Sequence, residues 1–287
     1  CFLRGLIISA FLLVFFGLCL GSIFVYQYYS IASTLPDSGA LRENASQFQT
    51  TRILDRNGQV LYELLDPSAG RRNYIPLANI SPNLIAATIA TEDKDFYTNP
   101  GFDPIAIARA LWQNYVTGGE GGGASTITQQ LARALLLSPE ERSQRTVTRK
   151  AREIILASEI TRRYTKDEIL ELYLNEIYYG NLAYGAEAAA ETYFGKSAKD
   201  LTLGEASFLA GLPQSPAVYD IYTNQEVTLI RQQQVLVLMF ELSSAEGCIK
   251  VSNSEAPVCV DPVQATQAAN EMKAYSYRRL RLMPNIR

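Results

Sequence analysis

No histidine occurs in this sequence of 287 residues. Its absence removes Ser-His-Asp and Cys-His catalysis and most zinc sites, leaving carboxylates, hydroxyls, Lys, Arg and Tyr to carry any chemistry. Cysteine is scarce, at positions 1, 19, 248 and 259, and no two form a CxxC pair, so metal and thioredoxin-type readings are weak. Neither sign of charge dominates. The 26 Lys and Arg against 29 Asp and Glu give a net charge of −3, which argues against nucleic acid as a partner of the whole chain. The glycine-rich stretch 118–123 lacks the Gly-Lys-Ser/Thr ending of a Walker loop.

What the chain does contain begins with an apolar run. No residue from Gly5 to Val25 is charged, and about twenty helical residues rise roughly 30 Å, the thickness of the hydrocarbon core. Residues 1–29 therefore read as a single membrane anchor. The apolar residues after Cys1 favour a chain lacking its first residues over a processed lipoprotein. Arg4 precedes the run and the next basic residue is Arg42, so the N-terminus is expected inside and everything beyond about residue 30 outside the cytoplasm. In that location a Cys248–Cys259 disulfide could form. Residues 30–50, polar and containing Pro36 and Gly39, read as a linker.

The next residues predict a hairpin, Arg52 to Tyr62 around Asn57-Gly58, with a second extended piece from Arg71 to Leu77 as a candidate further strand of it. From Ser81 onward the chain reads as capped helices. Thr126 with Gln129, Ser138 with Glu141, Thr165 with Glu168 and Thr202 with Glu205 each fit the reciprocal capping pattern. Gly180 and Gly195 read as C-terminal caps, and a last strong helix from Asn224 to Leu242 has Ile230, Val235, Leu236, Leu238 and Met239 as its apolar side. The fold class is mainly α with a small β piece.

Three stretches could carry chemistry. Glu92 and Asp93 fall where the apolar helix after Ser81-Pro82 stops, before a turn at Asn99-Pro100-Gly101 and a new helix capped by Asp103. The negative end of a helix disfavours two carboxylates, so at least one should have a raised proton affinity, as a general base near neutral pH requires. The glycine-rich stretch leads into a helix N-terminus near Thr126, which could meet an anion or simply be a linker. Arg142, Arg145, Arg149, Lys150 and Arg152 surround Glu153, with Arg145, Arg149 and Glu153 spaced by four. Such a stripe can bind a pyrophosphate or be a solvated, salt-bridged face. The aromatic and apolar residues Phe102, Ile105, Ile107, Leu111, Trp112 and Tyr115 could be core or a surface that dips into lipid.

Five ordered blocks, ATEDKDFYTNPGFD, GGASTITQQLAR, RKAREI, KDEILELYLNEIYYG and LTLGEASFLAGLPQSPAVYD, resemble the peptidoglycan glycosyltransferase family, the polymerase domain of bifunctional penicillin-binding proteins. The resemblance implies a lysozyme-like, two-lobed domain over residues 51–242, with 243–287 a connector toward a transpeptidase domain, since no Ser-x-x-Lys motif is visible. It implies Glu92 as general base and Glu153 as the second carboxylate, near a departing pyrophosphate. Arg133, Arg145, Arg149 and Lys150 would neutralise that group, while Asp93, Ser125, Thr126 and Gln130 complete the substrate cleft. The implied partners are lipid II, the lipid-linked growing glycan, the bacterial plasma membrane and other cell-wall synthesis proteins; a divalent cation, Mg²⁺ or Mn²⁺, could assist. Two positions depart from the family pattern: Asn99 stands where His is usual, and Arg133 where many members carry Lys. A lysozyme-like glycan-cleaving enzyme and an inactive membrane-anchored scaffold remain the alternatives.

Overall fold

The computed structural model describes residues 2–36, 40–47, 49–58, 60–64, 70–117, 125–144 and 146–278. The glycine-rich stretch 118–123 and Arg145 lie outside the described residues.

The chain opens with α1 (Phe2–Ala32), of which Arg4–Ala32 is long and apolar enough to cross a membrane. Its apolar side chains from Leu6 to Val25 are exposed, and at its base the Tyr28 hydroxyl donates to Glu159. Residues 30–50 are not the free linker expected. They contain α2 (Ala40–Gln47), and Leu35, Leu41 and Ala45 are buried in the main core. Those three apolar positions outweigh the polar composition around them.

The hairpin pairs β1 (Thr51–Leu54) with β2 (Val60–Leu64), antiparallel, with Gly58 at positive φ in the turn. Arg71 and Arg72 do not join it. They form β3 (Arg71–Arg72), parallel to a short β4 (Ala183–Tyr184) that the sequence does not announce. Ion pairs hold the hairpin instead: buried Glu63 receives Arg52 at 2.9 Å and Arg71 at 2.8 Å, and Arg52 reaches Glu191 at 2.6 Å.

The remainder is helical, which bears out the fold class: α3 (Pro82–Glu92), α4 (Pro104–Thr117), α5 (Ile127–Leu136), α6 (Pro139–Ser143), α7 (Val147–Arg163), α8 (Lys166–Glu176), α9 (Ala186–Phe194), α10 (Leu203–Gly211), α11 (Gln225–Glu246) and α12 (Pro262–Ala274). The capping box is complete at Ser138, Thr165 and Thr202. At Thr126 it is half made, because the Gln129 side chain turns to Lys150. Gly195 caps α9, but Gly180 caps nothing: α8 ends at Glu176 with Ile177 as its cap.

The centre of the core is α3. Every residue from Leu84 to Ala90 is buried, and the helix packs against α10 and α11. A helix apolar on all sides is stable only inside a protein, and each of Leu84, Ile85 and Ile89 contributes about 1.5–3 kcal/mol by burial. Beside it α5 packs on α7 and α8. On α11, Val235, Leu236 and Met239 face inward, whereas Ile230 is exposed.

Residues 243–278 are also folded. A Cys248–Cys259 disulfide closes a loop whose Asn253 Nδ2 donates to the carbonyls of Leu77 and Ile80, at 3.2 and 2.7 Å, and α12 lies on α10 and α11. On the opposite account, α4 leaves Ile105, Trp112, Tyr115 and Val116 exposed.

Candidate active site

Glu92 is the last residue of α3 and Asp93 its C-cap, whose N–H still bonds to the Ile89 carbonyl. At the end of a helix buried from Leu84 to Ala90, both carboxyls lose solvation. Burial pushes Glu92 above its usual value; the Gln130 hydrogen bond and the charges of Arg231 and Arg133 oppose it. Burial likewise pushes Asp93 up to about 6, against donors from Asn99 and the Ile127 N–H. The raised proton affinity thus comes chiefly from desolvation, not from the helix end that the sequence suggested.

Asp93 ties α3 to α5. Its Oδ2 accepts from the Ile127 N–H at 3.2 Å, at the positive end of α5, and its Oδ1 from Asn99 Nδ2 at 2.7 Å. One turn along α5, Gln130 Nε2 donates to Glu92 Oε2 at 2.6 Å, while Gln130 Oε1 accepts from the Tyr173 hydroxyl at 3.2 Å. The Thr126 hydroxyl donates to the Gly101 carbonyl at 2.7 Å. Gly101 has a positive φ, and a Cβ there would collide with the Ala157 carbonyl oxygen, so only glycine lets this turn lie on α7.

The second carboxylate, Glu153, is 1% exposed, yet three cations converge on it. Arg149 bonds it directly, Lys150 Nζ lies 3.4 Å away and Arg133 3.9 Å. Lys150 also donates to Ser125 Oγ at 2.6 Å and Gln129 Oε1 at 2.8 Å, and burial lowers its pKa. Three cations around one carboxylate leave a surplus of positive charge. Gln130, Arg133 and Arg149 open onto a cavity of about 520 Å³, whose other walls include Arg72, Arg142 and Tyr178.

Of the residues singled out by sequence, Glu92, Asp93, Thr126 and Gln130 meet in one network, and Ser125, Arg133, Arg149, Lys150 and Glu153 in an adjoining one. Arg145 lies outside the described residues. Sequence reasoning missed Lys166, whose Nζ donates to Asn99, Tyr173 beneath Gln130, Arg231, whose charge acts on Glu92, and the cavity residue Arg72, while Arg142 of the cationic stripe does reach the cavity. Lys166 and Tyr173 do fall inside the fourth block, while Arg231 stands in a helix that reads only as core. Among the described residues no group of three His, Cys, Asp or Glu side chains is placed to hold a metal.

Comparison with known proteins adds a lineage to this geometry. The profile of the Transglycosylase family matches residues 57–240. Penicillin-binding protein 1A of Vibrio cholerae serotype O1 is 40% identical over 243 residues, covering 84% of this chain and 28% of that protein. The protein of the same name from Escherichia coli K12 is 42% identical over 222 residues, 77% of this chain and 25% of that protein. That of Aquifex aeolicus is 42% identical over 228 residues, 79% and 30% respectively. The chain therefore spans between a quarter and a third of the length of these relatives.

Proposed function

Because the chain belongs to the transglycosylase family, the peptidoglycan glycosyltransferase domain of class A penicillin-binding proteins, we propose that it polymerises lipid II into β-1,4-linked glycan with release of polyprenyl diphosphate. The observation that carries the reading is a partly buried carboxylate, Glu92, joined through Gln130 to a cavity walled by Arg133 and Arg149.

Glu92 acts as general base on the 4-hydroxyl of the acceptor sugar. An alcohol is a weak nucleophile until its proton has an acceptor, and desolvation brings this carboxylate's proton affinity toward neutral pH. As the hydroxyl oxygen bonds to C1 of the lipid-linked donor, the bond from C1 to the diphosphate oxygen breaks. Attack and departure on opposite faces invert the anomeric centre. The leaving diphosphate gains negative charge, which Arg133, Arg149 and Lys150 meet, while Glu153 holds these cations together and limits their mutual repulsion.

The apolar α1 and the exposed Trp112 and Tyr115 of α4 support a domain tethered to, and resting against, the bilayer from which its substrate comes. The proposed location is the bacterial plasma membrane, with the site on the extracytoplasmic side. A glycan-cleaving enzyme would also need an isolated Glu, but it has little use for the cationic surplus around Glu153. Purified protein in detergent, given labelled lipid II with and without chelator and, separately, finished peptidoglycan, tests the reading. Long glycan chains are expected; soluble fragments from finished peptidoglycan, or no product, would refute it.

A further inference from the structure

Lys166, the first residue of α8, reaches the turn that follows Glu92. Its Nζ donates to the Asn99 carbonyl at 2.8 Å and to Asn99 Oδ1 at 3.3 Å, and lies 4.6 Å from the centre of the buried Phe96 ring. Asn99 Oδ1 also accepts from the Gly101 N–H at 2.9 Å. With two donors facing that oxygen, the amide can take only one orientation, in which Nδ2 points at Asp93 Oδ1, 2.7 Å away. Asp93 Oδ2 meets the Ile127 N–H, and three residues further along α5 Gln130 meets Glu92. Both oxygens of Asp93 therefore accept, an arrangement that suits its ionised form and makes the carboxylate a strut between α3 and α5.

We infer that Lys166 is a positioning residue for the reaction: through Asn99 and Asp93 it holds the Glu92 end of α3 in register with the first turn of α5. The inference rests on the function proposed above for Glu92. Asn99 carries no charge of its own, so the positive charge on this side of Asp93 comes from Lys166 on α8. The charged and titratable groups around Asp93 are Lys166 and the Tyr173 hydroxyl on α8, Asp95 on the turn, and Glu92 beside it. Lys166 is the cation among those that favour ionised Asp93, and Asp95 opposes it. Loss of the Lys166 charge should make Asp93 harder to ionise and loosen the strut.

The test uses the full chain in detergent, as wild type, Lys166→Met, Lys166→Gln and Lys166→Arg, with two readouts. One is the pH profile of lipid II polymerisation. The other is the titration of the Asp93 carboxyl carbon in ¹³C-aspartate-labelled protein, assigned with Asp93→Asn. In Lys166→Met the Asp93 midpoint should rise by roughly one pH unit, the acid limb of kcat should move with it, and kcat at pH 7.5 should fall about tenfold with KM nearly unchanged. Lys166→Arg should restore most of both, and Lys166→Gln, which keeps a donor without the charge, should show the same upward shift if the Met variant does not fold. An Asp93 midpoint that stays in place when the charge is removed overturns the inference, whatever happens to activity. So does a rate loss that Arg does not rescue. If wild type makes no polymer, the proposed function fails, and the carboxyl titration still decides whether Lys166 governs Asp93.

Discussion

Gln130 Nε2 lies 2.6 Å from Glu92 Oε2, so the partly buried carboxylate accepts from a donor that favours its charged form. Hydrogen bonding and burial act in opposite directions on the same group, and their balance sets the pH at which Glu92 can accept a proton.

Removing the donor should tip that balance. In Gln130→Met the proton affinity of Glu92 rises further, because a hydrogen bond to a charged group contributes about 1.5–3 kcal/mol, or roughly one to two pH units. The acid limb of the polymerisation profile should move upward by that amount. An unmoved limb would speak against Glu92 as the base.

Glu92→Gln should lower the polymerisation rate by a factor of about 10² to 10⁴ and leave the fold intact. The stability change has a definite sign. A carboxyl whose folded pKa lies above its ordinary 4.5 binds protons more tightly when native. Stability is therefore lost as pH rises from 4.5 through the folded value, and above it the charged side chain costs stability. The Gln variant should melt at or above the wild-type temperature at pH 7.5, with the difference vanishing below about pH 4.5. A variant that melts far lower would mean that Glu92 serves the fold.

Glu153→Gln should behave differently. Its carboxylate is almost fully buried among Arg149, Lys150 and Arg133, and neutralising it leaves those cations facing one another. Breaking such a cluster costs about 3 kcal/mol, visible as a lower midpoint in urea denaturation. The same change should slow polymerisation. Wild-type stability in this variant would show that the three cations do not depend on Glu153.

Opening the Cys248–Cys259 bond, by reductant or as the double Ser variant, should destabilise the protein by about 3 kcal/mol, as expected for a short closed loop. The loop also holds α3 from both ends. Asn253 bonds the carbonyls of Leu77 and Ile80, and the Ser252 N–H donates to the Tyr97 hydroxyl at 3.2 Å. Thermal melts with and without reductant would check this; coincident melts would exclude a structural role for the loop.

Much of this protein could be read along the chain because the signals are local. The uncharged run from Gly5 to Val25, the Asn57-Gly58 turn, and the hydroxyl and Glu of the boxes at Ser138, Thr165 and Thr202 act over a few residues, and those elements stand where expected. The five blocks likewise marked which carboxylates and cations to watch. Contacts between distant segments decided the rest. Residues 30–50 read as a linker because their composition is polar, yet three apolar side chains find the core; β3 pairs with β4, more than a hundred residues away. Gln129 leaves its capping partner because Lys150 of α7 arrives beside it. The proton affinity of Glu92 depends on how deeply α3 is buried by α10 and α11, and the register of Asp93 on a lysine from α8. Sequence alone determined which residues could accept a proton or hold an anion, since that is a property of side chains. Only the tertiary structure decided their strength, because desolvation and charge depend on what the folded chain packs around each group.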